Sequence, residues 1–383
     1  MITPTNIPRR IISTNLAAVL AIGGLGLFTA PAQTQAAPPQ LHYVATVLGS
    51  LGGSESSSNG INASGKVVGW SYHPSDTSRG AVRWDGEVPT ALDVQGNGFS
   101  HAYGINASNQ VVGYSHLTSD GSNRAVRWDG NALSLLGTLG GDSYAYGINH
   151  LGQAAGSAQL VANGIFQAVR WDGNTPTALG TLGGSESAAF GINASGQMAG
   201  YSDLANNGLR AAVRWDGTTP TVLGTLGGGY SYASSINDSG QAAGYAYVSG
   251  GGDRDGGYHA VRWDGNTPTD IGTLGGRFSY ATGINASGQV VGQSYLIDDL
   301  INAAFLYTDG AMYDLNSMLL NGTGITLNSA SAINDAGQIA ATGLYNGEMR
   351  VFLLNPDFAP EPTSAILLLT GATLLGLRRR RVQ

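Results

Sequence analysis

One stretch, residues 190–228 (FGINASGQMAGYSDLANNGLRAAVRWDGTTPTVLGTLGG), recurs with small changes along nearly the whole chain. Three phrases mark each copy in a fixed order, GINASGQ, AVRWDG and LGTLGG, each bounded by glycine and short enough for one β-strand and a turn. The asparagine of the first phrase falls at Asn62, Asn106, Asn149, Asn193, Asn237, Asn285 and Asn334, giving steps of 44, 43, 44, 44, 48 and 49 residues. Self-similarity of this length restricts the chain to an array of repeats, because one copy is too small to bury a core alone.

Each period holds four strand-like pieces, in the quoted copy SAAFGIN, QMAGYS, RAAVRWDG and PTVLGTL. Four strands in 40 to 50 residues is the content of a β-propeller blade. Three residues after each asparagine stands Gly65, Asn109, Gly152, Gly196, Gly240, Gly288 or Gly337, the residue types that tolerate the positive φ of a tight hairpin. The chain enters with an isolated fourth strand at 43–51, and the seventh copy stops after its third strand at 350–354. Together these ends complete one blade and leave no free edge. The expected fold is therefore all-β: a seven-bladed β-propeller of four-stranded blades, with the ring closed by the N-terminal strand completing the last blade. A linear β-solenoid of similar period is the alternative, and complementary ends would serve it no purpose.

Composition narrows the partners. Charged residues are only 11% of the chain and glycine makes up 59 of 383 residues, so the surface must be mostly Ser, Asn, Thr, Tyr and Gly. Of 18 basic residues, six lie at the two ends, so residues 37–359 carry 12 basic groups against 24 acidic ones and a net charge of −12. Nucleic acid is excluded as a partner of such a body. There is no cysteine, hence no disulfide and no thiolate metal site.

The tails differ from the body. Arg9 and Arg10, an apolar run at 16–28 and small residues at 29–37 follow the three-part plan of a signal peptide, with cleavage after Ala36 or, alternatively, after Ala32. Residues 1–36 are thus expected to be removed after passage through the Sec translocon and cleavage by signal peptidase. At the other end, residues 365–377 would form a short apolar helix of ~20 Å, less than the ~30 Å hydrocarbon core. With the arginines after it, that helix reads as a weak membrane stop.

Pro360, Glu361 and Pro362, then the apolar stretch, then Arg378, Arg379, Arg380 and Arg381 resemble a PEP-CTERM sorting signal, a tail also catalogued as an ice-binding protein C-terminal domain. The resemblance implies transient inner-membrane anchoring of 360–383, cleavage by an exosortase, and release to the cell surface or an exopolysaccharide matrix. Nothing in the body has the flat threonine array that ice binding would need. Residues 43–355 resemble the HAF family of probable extracellular repeats, on the GINASGQVVG phrase at 283–292 and IGTLGG at 271–276. The family's His-Ala-Phe is mostly replaced by Ala-Val-Arg, with Ala304 and Phe305 its closest survivor. That resemblance brings no established activity with it.

Residues that repeat read as scaffold. Trp84, Trp128, Trp171, Trp215 and Trp263 are expected to pack between blades, each following Asp to set a turn, and each preceding Arg to pair with a carboxylate or cover the indole. The Asn-x-Ser triplets are explained by the turn, since Asn149 and Asn334 hold the same place without the triplet. No catalytic constellation stands out: the six histidines show no HExxH, and GxSxG and phosphate-cradling loops are absent. No cofactor is expected.

Function is expected where copies differ, in the loops between the second and third pieces, on the same face as the blade crossings. The candidate ligand-binding residues there are His73, His116, Asp203, Asp253, Arg254, Asp255, His259, Asp298 and Asp299. Asp253 and Asp255 in GGGDRDGG are also calcium candidates, short of the full ligand set of a dedicated site. The expected function is an exported, surface or matrix protein, non-catalytic, binding an extracellular polysaccharide or a surface protein. A polysaccharide lyase or hydrolase on the same scaffold and a purely structural spacer are the alternatives.

Overall fold

The computed structural model describes residues 41–94, 99–117, 119–160, 164–205, 208–249 and 257–358. The strands in these residues form seven antiparallel four-stranded sheets, the fourth and fifth joined by a single parallel bridge between Arg210 and Tyr230. In the copy quoted above they are Gly183–Ile192, Met198–Leu204, Arg210–Asp216 and Thr219–Val222. The first strand of every sheet lines one central channel, which makes the fold a β-propeller, as the repeat predicts.

The turn chemistry explains why each sheet starts as it does. The residue three after each asparagine takes positive φ, from 63° at Asn109 to 79° at Gly65, Gly152 and Gly196. The asparagine side chain fixes the turn from inside: Asn193 Oδ1 accepts from the backbone N–H groups of Ser195 (3.1 Å) and Gln197 (2.9 Å). Its Nδ2 then donates to the backbone carbonyl of Asn237 in the next repeat, at 3.1 Å. The same bond runs from Asn62 to Asn106, Asn106 to Asn149, Asn149 to Asn193, Asn237 to Asn285, Asn285 to Asn334, and from Asn334 back to Asn62. These bonds close a ring, which a linear solenoid could not do.

The last sheet is closed by the N-terminal strand. Leu41–Leu48 pairs antiparallel with Glu348–Phe358, from Leu41 opposite Phe358 to Leu48 opposite Val351. Hydroxyls stitch this last sheet to the first, with Ser58 Oγ 2.9 Å from Ser331 Oγ and 3.1 Å from Thr342 Oγ1.

The tryptophans sit between sheets as expected. All five are buried, and each indole N–H donates to a carbonyl at the end of the preceding sheet, for example Trp215 Nε1 to Gly180 O at 2.7 Å. Four of the neighbouring arginines, Arg127, Arg170, Arg214 and Arg262, pair with the Asp after the tryptophan, at 2.9 Å for Arg170 and Asp172, whereas Arg83 donates to Gly130 O and Asp85 pairs with Lys66. The third phrase corrects the reading of the sequence. LGTLGG is the crossing between sheets, not a strand: the fourth strand ends before it, at Ala178 or Val222, and its two glycines open the next first strand. Its leucines stand three residues apart and would fall on opposite faces of a strand, whereas Leu179 and Leu182 pack into the same core between two sheets. The expected C-terminal apolar helix lies outside the described residues, among which no helix is long and apolar enough to cross a membrane.

Candidate functional site

The first strand of each repeat carries a β-bulge near its end. In the fourth repeat Ala189 pairs with Gly200 and Gly191 with Ala199, which leaves Phe190 without a partner on the neighbouring strand. A bulge re-aims one side chain and bends the strand. The facing second strand admits it because Gly200 has no Cβ, which would stand 1.9 Å from Ala188 O. The same irregularity falls three residues before every repeat asparagine, at Asn59, Tyr103, Tyr146, Phe190, Ser234, Thr282 and Ser331.

All seven bulged residues line the channel, a cavity of about 800 Å³. They divide it into unlike halves. Repeats two to four contribute the rings of Tyr103, Tyr146 and Phe190, extended by Tyr232 and Tyr245 of repeat five. Ring centroids lie 5.1 Å apart between Tyr103 and Tyr146 and 5.2 Å between Tyr146 and Phe190, within the range of packed aromatic pairs. The other half carries Ser234, Thr282, Ser331 and Asn59, with Ser329 and Gln293 beside them. Thr282 Oγ1 donates to Ala330 O at 2.6 Å and Asn59 Nδ2 to Ala102 O at 2.8 Å. Ser235 Oγ, on the same lining, is buried with no hydrogen-bond partner.

The channel rings are part of a longer aromatic arc. It runs from Tyr72 and Trp70 in the first repeat to Phe278 and Tyr295 in the sixth, each ring within 6.5 Å of the next. Arg210 lies over Tyr201 with its guanidinium carbon 4.1 Å from the ring centroid, held by Asp203 and Glu186 at 2.8 Å each.

The described residues that line the channel include no Asp, Glu, His, Lys or Arg. Its tyrosines stay protonated: burial raises the hydroxyls of Tyr103, Tyr146 and Tyr232 above their ordinary value, in Tyr232 against the pull of Arg210. Behind Tyr103 stands His101, pushed down to about 3 by burial and by the nearby Arg79 cation, with a buried Nε2 that has no hydrogen-bond partner. Among the described residues, the turn-side opening does carry ionisable groups, where His150, Asp238 and Asp335 share a smaller cavity of about 290 Å³ with Asn62, Asn106 and Asn149.

The variable-loop candidates are spread over several sheets. The loop from the second to the third strand does lie beside the crossing, as Ala205 N donating to Leu182 O at 3.3 Å places it. His73 caps its own turn, its backbone N bound to Ser78 O and its O to Asp76 N. His116 Nδ1 is 3.2 Å from Asn123 Oδ1. Asp203 serves Arg210, and His259 Nδ1 is 2.9 Å from Asp270 Oδ2. Burial pushes the Asp270 carboxyl up, but the bonds from His259 and the Gly272 N–H outweigh it and leave the carboxyl below its ordinary value. Asp299 accepts from the Arg277 N and Nε at 2.7 Å each, which lowers its carboxyl, while Asp298 is exposed. Each of the paired residues is engaged within its own repeat. Asp253, Arg254 and Asp255 lie outside the described residues, as do Ala36, Pro360, Glu361, Pro362, Arg378, Arg379, Arg380 and Arg381. Among the described residues no group of three His, Asp or Glu side chains could hold a metal ion.

No family model matches the chain, and no curated protein matches it. Among solved structures it is similar to the WD40 β-propeller domain of Doa1, at 11% identity over 80% of this chain and 96% of that one, with a TM-score of 0.42. It is also similar to XC5397 of Xanthomonas campestris, described as a gluconolactonase, at 11% identity over 84% and 98% of the two chains and a TM-score of 0.38. A third is a putative TolB from Agrobacterium tumefaciens, at 17% identity over 63% and 87%, TM-score 0.37. At these scores none of them carries anything over to the site.

Proposed function

We propose that the chain is an exported, surface- or matrix-associated binding protein that holds an extracellular polysaccharide on the crossing face and channel of its propeller. The observation that carries this reading is the aromatic arc through six repeats, set against hydroxyl and amide side chains and free of ionisable acids and bases where it lines the channel. A sugar ring has an apolar C–H face and a rim of hydroxyls, so it needs both kinds of wall at once. Pockets of several hundred cubic ångströms that are mostly apolar with a few placed polar groups are the usual form of small-ligand sites. Export and transient anchoring rest on the tail motifs, Arg9 to Ala36 and Pro360 to Arg381, and on the resemblances they carry. Glycoside hydrolysis would need a pair of carboxyl groups flanking the bond, and the described channel lining offers none.

The test is a glycan and exopolysaccharide array probed with the secreted form, residues 37–359. Binding to at least one polysaccharide, without cleavage products by mass spectrometry, is the expected result. A blank array overturns the reading, and released oligosaccharide would replace it with the enzyme class.

A further inference from the structure

Resting on that reading, we infer that the ligand is an uncharged glycan chain, and that it is seated inside the channel between the aromatic bulge residues Tyr103, Tyr146 and Phe190 and the polar bulge residues Ser234, Thr282, Ser331 and Asn59. Two observations carry this, the unlike residues at the bulge and the lack of charge on the described lining. The bulge that all seven first strands share takes one side chain out of the ladder and onto the channel wall, and it is filled by aromatic residues in three consecutive repeats and by hydroxyl or amide residues in the other four. A chain lying between them meets rings on one side and hydrogen-bonding groups on the other.

Charge decides the class of glycan. No cation is among the described residues that line the channel, so a uronate or sulfate entering it would lose water with no partner there in return. The surrounding body carries net −12, and the turn-side opening adds Asp238 and Asp335, so a polyanion is also repelled before it enters. The tyrosine hydroxyls, held neutral by burial, remain donors and acceptors for a neutral sugar.

The repeat supplies substitutions that the fold already tolerates. Tyr146→Ser and Phe190→Ser install the residue that repeats five and seven carry at the same register, Ser234 and Ser331. Binding would be measured by titration calorimetry with neutral linear hexasaccharides of glucose, mannose and galactose, and with hexagalacturonate of equal length. The neutral chains should bind, and each variant should weaken them about tenfold while its thermal midpoint shows it folded. Preferential binding of hexagalacturonate overturns the inference. So does retention of full affinity in Tyr146→Ser and Phe190→Ser when Tyr72→Ser or Tyr295→Ser, at the ends of the arc, abolishes binding. In both cases the polysaccharide reading stands and only the seat or the charge class is wrong. If no saccharide binds any form of the protein, the reading itself fails and the inference falls with it.

Discussion

The turn face and the channel wall are built from the same first strand, three residues apart, and they could hardly be less alike. At the turn, all seven repeats place asparagine, and all seven side chains accept from the backbone N–H four residues on and donate to the asparagine carbonyl of the next repeat. Three residues earlier the seven repeats place five different side chains, which share only a direction. The invariant place carries the ring's closure. The variable place, held rigid by the strand on either side, is free to carry recognition.

The largest effect is expected from breaking the invariant side of this contrast. Asn193→Ala removes two acceptor bonds within the turn and two donor bonds, one of which crosses to the next repeat, and Asn193 is buried. The Asn237 carbonyl loses its partner inside the protein, where the desolvation of an unmade bond is not recovered. A loss of about 2–4 kcal/mol in unfolding free energy follows, read by urea or thermal unfolding. A loss under 0.5 kcal/mol would mean that the ladder is a by-product of closure and not one of its causes. Trp215→Phe should cost less, about 1–2 kcal/mol, because it keeps most of the ring's packing and gives up the bond to Gly180 and some volume.

Much of this contrast was legible in the sequence, and the part that was not has a physical reason. The period, the positive-φ residue after each asparagine and the complementary ends required the sheets and their closure, and the same place in five copies marked the tryptophans as packing residues. The bulge was hidden because alternation is the only guide to side-chain direction in a strand. Read without a bulge, Phe190 belongs to a regular half-buried strand, and GIN and its neighbours look like one invariant phrase. The facing glycine, present at Gly69, Gly113, Gly156, Gly200, Gly244 and Gly292 and replaced by Ala341 in the seventh repeat, was the available signal, because a glycine in mid-strand marks close backbone approach. The loop candidates were chosen for variability alone, and variability on a rim such as that of His73 or Asp299 is met by local hydrogen bonds.

A smaller effect separates the two regions by pH. His101 is held neutral in the folded ring with its value pushed down to about 3, whereas in the unfolded chain it titrates near ~6.5. Between those values the unfolded chain takes up a proton that the folded chain refuses, so this residue's contribution to stability is complete above ~6.5 and declines as pH falls toward 3. The slope cannot exceed about 1.4 kcal/mol per pH unit. His101→Tyr installs the residue that repeats three, five and six carry at the same register, Tyr144, Tyr232 and Tyr280, and should flatten the acid limb of the thermal midpoint between pH 7 and 5. An unchanged limb would place the acid sensitivity in the carboxylates of the rim.

The smallest expected effect is on binding itself. Among the described residues the channel lining holds no carboxylate, imidazole or cation, and its tyrosines lie above their ordinary value, so none of these groups changes charge between pH 5 and 9. The dissociation constant for a neutral hexasaccharide should therefore vary by less than about twofold over that range. Stability changes over part of the same range, so the two curves need to be measured on the same samples, by calorimetry for the ligand and by unfolding for the protein. A binding constant that weakens on the acid side while the protein remains folded would put a titrating group at the ligand and overturn a seat between the neutral walls of the channel.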